Sequence, residues 1–214
     1  MISVNNLSKK FGKKIILEKT NVVFNQKINF LLGKNGTGKS TFINILAGII
    51  KPDSGIIIIG NEQISYTDGR YKNNIGFLLS LPNYPVHLTI KEYIELLRTL
   101  YHLDKSNHVY EQELIRFFEL EEFINYEIKD LSSGLLQKTK LLGAMIHKPA
   151  LLIFDEPFNT LDLIFLEKFA KKIKILSASG ISFLITTHID VSKYFEDVEI
   201  ETFIISESKI TQQF

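Results

Sequence analysis

At 214 residues the chain is long enough for one well-buried domain and too short for two cores of ordinary size joined by linkers. Twenty-five lysines and arginines against 24 aspartates and glutamates leave a formal net charge of +1, so no global field draws nucleic acid or membrane headgroups. The absence of cysteine excludes disulfides, thiolate metal sites and thiol catalysis, and Arg70, Arg98 and Arg116 are too few and scattered for an arginine cluster around phosphate.

Taken in order, Val4 to Phe11 and Lys14 to Phe24 predict two β segments broken at Gly12-Lys13. Phe11 stands where an aromatic face would stack on a nucleotide base, and from composition alone it serves equally as core. The apolar run Ile28-Asn29-Phe30-Leu31-Leu32 predicts a buried strand, and Phe42 to Ala47 a helix ending near Gly48. Between them lies Gly33-Lys34-Asn35-Gly36-Thr37-Gly38-Lys39-Ser40-Thr41. A glycine-rich loop from strand to helix turns successive N–H groups inward at a positive helix end, which suits an oligophosphate. In such a P-loop Lys39 reaches the β- and γ-phosphates, the Ser40 hydroxyl ligates Mg²⁺ and Thr41 lies near the α-phosphate.

Ile56 to Ile59 predicts another buried strand and Asn74 to Leu79 a further one, followed by Ser80-Leu81-Pro82-Asn83-Tyr84-Pro85, whose prolines forbid regular structure. The texture then turns helical. Thr89-Ile90-Lys91-Glu92 is a capping box with Ile90, Tyr93, Ile94, Leu97 and Tyr101 at helical spacing, and Val109, Leu114 and Phe118 mark a second helix. Phe123 to Lys129 is ambiguous. Leu131-Ser132-Ser133-Gly134 leads into an apolar helix to Ile146, where the serine is a plain N-cap or a second anion-ready site.

Ala150 to Phe154 predicts a buried strand delivering Asp155 and Glu156 at its carboxyl end. Adjacent carboxylates there need a partner, and a P-loop supplies one: Asp155 for Mg²⁺, Glu156 to orient and deprotonate an attacking water. Leu161 to Leu176 predicts an amphipathic helix, Ile181 to Thr186 a strand ending in Thr187-His188, and Glu199 to Ile205 with Lys209 to Gln212 a terminal hairpin. The longest apolar runs fall far short of the roughly 18–20 residues that span a bilayer, and Met1-Ile2-Ser3-Val4 opens no signal-peptide pattern.

The order of P-loop, helical insert, Leu-Ser-x-Gly, strand-Asp-Glu-Pro and strand-Thr-His resembles the ATP-binding cassette ATPases, the motor subunits of ABC transporters. The likeness runs from Ile2 to about Phe203 and includes Asn159-Thr160-Leu161-Asp162. It implies an α/β P-loop NTPase core with an antiparallel β subdomain and an inserted α-helical subdomain. One domain would span 1–214, with a catalytic lobe at about 1–88 and 149–214 and a helical lobe at about 89–148. It also implies ATP and Mg²⁺ as ligands. Phe11 would stack on adenine and Gly33, Lys34, Asn35, Gly36, Thr37, Gly38, Lys39, Ser40 and Thr41 would hold the phosphates. Ser40 and Asp155 would serve the metal, Glu156 would be the general base, His188 would sense the γ-phosphate and Asp162 would bridge two sites. Ser132 and Gly134 would act in trans on nucleotide held by a second subunit.

Implied partners are that second ATPase subunit, the same or a cousin, and a membrane-spanning subunit on a separate chain, with no nucleic acid. The expected place is the cytoplasmic face of the membrane, as a peripheral subunit. The segments Ile75 to Thr89 and Asp155 to Asn159 look more like bacterial exporters of the bacitracin-resistance type than like importers. Departures fall at Ser80, where the family usually has glutamine, at Ser133 and Leu135, where glycine and glutamine are commoner, and at Lys138 in place of a frequent arginine. They bring rate and coupling into question, and motivate a non-hydrolysing subunit paired with an active one as a second reading. A soluble ABC-type regulator of ribosomes or DNA is disfavoured by the single cassette without heptads, and a small-molecule kinase by the absence of an arginine-bearing lid.

Overall fold

The computed structural model describes residues 1–64, 66, 69–80 and 84–213. Among the described residues, ten strands and five α-helices follow in chain order: β1 (Ile2–Phe11), β2 (Lys14–Phe24), β3 (Ile28–Leu32), α1 (Lys39–Leu46), β4 (Ser54–Ile59), β5 (Glu62–Gln63), β6 (Ile75–Leu78), α2 (Ile90–Leu100), α3 (His108–Phe117), α4 (Ser133–Met145), β7 (Leu151–Asp155), α5 (Leu163–Ala178), β8 (Ser182–Thr187), β9 (Glu201–Ser206) and β10 (Lys209–Gln213). They form two sheets, one of four strands in the order β2-β1-β4-β5 and one of six in the order β10-β9-β3-β8-β7-β6.

In the larger sheet β9, β3, β8, β7 and β6 run parallel, and β10 closes the edge antiparallel. Both faces of its inner strands are covered, so these segments are apolar throughout rather than alternating. The period-two pleat divides them. Phe30, Leu152, Phe154, Phe183 and Ile185 face one core, while Leu31, Ile153 and Leu184 face the other. On the second side α1 lies in the core that the two sheets share, with Phe42, Ile43, Ile45 and Leu46 all without exposure. The polar residues Lys39, Ser40 and Thr41 gather in the first turn of α1, at the end that faces the glycine-rich loop, while the rest of the helix is enclosed.

The antiparallel sheet corrects one expectation. Within β4 only Ile57 is buried and Ile56 is 45% exposed. An antiparallel sheet presents its outer face to water, so a run of isoleucines there is not a fully buried strand.

Between β6 and β7 the chain is helical. Thr89 Oγ1 accepts from Glu92 N at 3.2 Å while the Glu92 carboxylate accepts from Thr89 N at 2.8 Å, the reciprocal box that starts α2. Arg98 Nε donates to Glu111 Oε2 at 2.6 Å, tying α2 to α3 through a carboxylate that is almost wholly buried. Val109 is exposed in the first turn of α3, contrary to its expected place on the apolar face, and Leu114 and Phe118 carry the packing instead. The ambiguous Phe123 to Lys129 stretch is flanked by short 3-10 turns at Glu121–Phe123 and Ile128–Asp130. Of the proline-bearing Ser80 to Pro85 stretch, residues 81–83 lie outside the described residues.

Helix α4 sits directly on β6. A β-carbon at Gly76 would fall 2.0 Å from the Ala144 carbonyl oxygen, a backbone atom that cannot step aside. Gly76→Val should therefore destabilise the fold by about 3 kcal/mol or prevent folding outright, as overpacked sites do. Thermal unfolding and soluble yield measure this, and a variant as stable as wild type would contradict the packing. Thr89→Ala, which removes one cap, should lower stability by about 1 kcal/mol and the unfolding midpoint by roughly 2–4 °C, measured by calorimetry.

Candidate active site

The carboxyl ends of β3, β7 and β8 lie side by side, and each delivers part of one site. From β3 the chain turns through Gly33 to Gly38 into α1. Gly38 has φ +114°, and a β-carbon there would meet Ile16 Cγ2 at 2.6 Å. The loop thus needs glycine twice over, for its backbone angle and for its packing on β2. Thr37 Oγ1 donates to Lys34 O at 2.9 Å and closes the turn. The nearly buried Lys39 Nζ donates to Gly33 O at 2.6 Å and lies 3.3 Å from Glu156 Oε1.

Pairing of β7 with β8 sets Asp155 opposite Thr186. Asp155 is 4% exposed, yet both of its oxygens are satisfied: Oδ1 accepts from Thr186 Oγ1 and Oδ2 from Ser80 Oγ, each at 2.6 Å. Glu156 follows with φ +53°, a left-handed angle uncommon outside glycine. Its N–H is held by Thr186 Oγ1 at 3.1 Å and Thr186 O at 3.2 Å. That turn aims the carboxylate across the cleft, where Oε2 lies 2.9 Å from His188 Nδ1.

A cleft of about 360 Å³ is lined by Phe11, Ile16, Gly36, Lys39, Thr41 and Glu156, so the expected base-stacking residue, the loop and the expected base share one space. Phe11 is 49% exposed and is therefore not a core residue; Lys9 Nζ lies 5.2 Å from its ring centroid. Ser132, Gly134 and Asp162 do not line this cleft. Ser132 Oγ caps α4 by accepting from Leu135 N at 3.3 Å, and Asp162 Oδ1 caps α5 by accepting from Phe165 N at 2.8 Å. Lys138, in the place of the frequent arginine, meets Glu119 Oε2 at 2.6 Å and lies 4.0 Å from the Phe165 ring centroid.

Sequence spacing assigns no role to Thr186 or Gln137, and Thr160 enters only as part of the Asn159 to Asp162 match. Gln137 Nε2 donates to Pro157 O at 3.0 Å and Glu156 O at 3.3 Å, and Thr160 Oγ1 donates to Ser133 O at 3.2 Å. Only the strand pairing between β7 and β8 gives Thr186 its role, and nothing local to it signals this.

The donor set fits Mg²⁺. Ser40, on the cleft beside the glycine-rich loop, and Asp155, at the end of β7, offer hard oxygen atoms. Each Asp155 oxygen spends one lone pair on a hydroxyl and keeps another for a metal-bound water.

The sequence model of the family described as ABC transporter matches residues 20–159. The uncharacterized ABC transporter ATP-binding protein YcbN of Bacillus subtilis is 30% identical over 191 residues, 88% of this chain and 62% of that protein. The zinc import ATP-binding protein ZnuC of Rickettsia prowazekii is 33% identical over 178 residues, 82% of this chain and 70% of its own. The lantibiotic transport ATP-binding protein SrtF of Streptococcus pyogenes is 30% identical over 190 residues, 88% of this chain and 80% of its own. This chain thus spans less than two thirds of YcbN and somewhat more of the other two. Among solved structures, the dimeric bacterial ABC transporter cassette MJ0796 superposes with a TM-score of 0.86 at 25% identity, covering 100% of this chain and 98% of its own. The same cassette is known in a post-hydrolysis state bound to ADP and Pi. Motif order, two-sheet architecture and matched segment agree: this chain belongs to the ABC transporter family, as an ATP-binding subunit with the P-loop ABC ATPase fold.

Proposed function

We propose that this subunit hydrolyses ATP, pairing with a second subunit of its kind around two nucleotides and driving a separate membrane-spanning chain as an exporter. The observation that carries it is the convergence of Lys39, Glu156 and His188 around the P-loop, with Glu156 Oε1 3.3 Å from Lys39 Nζ and Oε2 2.9 Å from His188 Nδ1. Adenine stacks on Phe11, and the N–H groups of Gly33 to Thr41 with Lys39 take the phosphates. Ser40 and Asp155 would hold Mg²⁺, which when bound neutralises β- and γ-phosphate oxygens. Glu156 accepts the proton of the attacking water, His188 contacts the γ-phosphate, and Asp162 bridges the two sites. Ser132 and Gly134 of each subunit meet the nucleotide of the other; their position outside the cleft supports this reading, because one chain alone does not bring them to its own P-loop. A helix N-terminus from the neighbour then takes the part that an arginine finger plays elsewhere.

The division into a catalytic lobe (about 1–88 and 149–214) and a helical lobe (about 89–148) is part of the same proposal. No described helix is long and apolar enough to cross a membrane, and in this reading the membrane-spanning chain holds the subunit at the cytoplasmic face. The choice of export rests on the likeness of the segments Ile75 to Thr89 and Asp155 to Asn159 to bacterial exporters; the relatives include SrtF, named for lantibiotic transport, and ZnuC, named for zinc import.

Glu156→Gln should keep ATP binding and lower hydrolysis by roughly 10²–10⁴-fold, read as phosphate release by the purified protein with Mg²⁺. Hydrolysis at the wild-type rate would show that Glu156 is not the base. The membrane chain is expected in the groove beside Ser80, Tyr84 and Pro85. Tyr84→Glu places a charge in it and should weaken copurification with the membrane subunit by about tenfold while leaving basal hydrolysis intact; an undiminished complex would move the contact elsewhere.

A further inference from the structure

On its other flank the P-loop borders a second cleft, of about 470 Å³, which shares Gly33, Lys34, Asn35 and His188 with the proposed site and whose apolar part the proposed chemistry does not use. Its walls are mainly apolar, from Phe30, Leu32, Ile189, Val191 and Ile200, and its rim is formed by Asn35 and His188. A surface of matching chemistry lies elsewhere on the chain. Leu163 and Ile164, the first two residues of α5, are 73% and 84% exposed. The first turn of a helix favours acidic side chains, and here it carries none, so two adjacent aliphatic residues stand in water where local preference calls for charge.

We propose that the Leu163-Ile164 pair of one subunit docks in this apolar cleft of a second copy of the same chain. The proposal rests on the head-to-tail pairing above. Thr160 donates to Ser133 O, and Gln137 holds Pro157 and Glu156 from α4, so the turn before α5 is fastened to the Ser132 segment within each chain. Whatever brings Ser132 to the neighbour's P-loop therefore carries Leu163 and Ile164 to the same neighbour. Two flanks are available there. The Phe11 flank receives the nucleoside, which leaves the flank bordered by His188. A two-fold axis makes the contact occur twice, burying two aliphatic pairs next to the two γ-phosphate sites and excluding water from them. It also gives the cleft an occupant whose chemistry matches its walls.

The chain has no cysteine, so two introduced thiols are the only ones present. In a Glu156→Gln background, Ile164→Cys combined with Ser192→Cys, or with Ile189→Cys, should form a disulfide-linked dimer on mild oxidation with ATP and not without it. Ile164→Cys combined with Glu62→Cys, whose second thiol lies far along the chain in the other sheet, should not. Leu163→Ser with Ile164→Ser should raise the protein concentration needed for half-dimerisation by about tenfold or more, with the monomer's unfolding midpoint unchanged. Light scattering that shows an ATP-dependent dimer without a cross-link at either cleft position, or an unweakened serine variant, overturns the docking and leaves the head-to-tail reading standing. Absence of any ATP-dependent dimer overturns both.

Discussion

The site depends on the satisfaction of one nearly buried carboxylate. Asp155 ends a strand with cores on both sides, and a charge there is tolerated only with partners for its oxygens. The register that pairs β7 with β8 supplies the first, Thr186, and the end of β6 leads to the second, Ser80. With Asp155 fixed, the next residue has little freedom. Glu156 takes a left-handed angle that costs on the order of 1–3 kcal/mol, offset by two contacts from Thr186 to its N–H and one from Gln137 to its carbonyl. The side chain that faces Lys39 and His188 is thus placed by backbone strain and by its neighbours.

Much of the fold was legible because its elements are locally determined. The break at Gly12-Lys13, the capping box at Thr89 and the strand-loop-helix of the P-loop each depend on residues within a few positions of one another, and β1, β2, α1, α2 and β7 lie close to where the sequence puts them. Misplacement occurred where burial is decided at a distance. Four consecutive isoleucines look the same in a covered parallel strand and in an antiparallel strand with one wet face, and only the pairing of β4 with β1 and β5 decides between them. Val109 shows the same limit in a helix, since an aliphatic residue in a first turn faces inward or outward according to what packs on it.

The site divides along the same line. Gly33 to Thr41, Asp155-Glu156 and His188 announce themselves by spacing within a motif. Thr186 and Gln137 do not, because each acts on a backbone or carboxylate that is 19 to 31 positions away and becomes its neighbour only through strand register or helix packing. Ser80 was legible as a departure yet not in its consequence: a side chain too short for one contact makes another, to Asp155.

The short distance between Lys39 and Glu156 carries a consequence for the order of events. The lysine ammonium lies 3.3 Å from the carboxylate and 2.6 Å from a loop carbonyl, so Lys39 and Glu156 face one another across the cleft. A carboxylate engaged with an ammonium is poorly placed to take a proton from water. On the proposed function, a triphosphate brings several negative charges to the loop and draws the ammonium towards them, which loosens its hold on Glu156. Nucleotide arrival would then prepare the base as well as supply the substrate, and His188, 2.9 Å from the other carboxylate oxygen, would keep the side chain from swinging away once the lysine is engaged. Water left in the cleft without nucleotide would meet a base occupied by its own lysine.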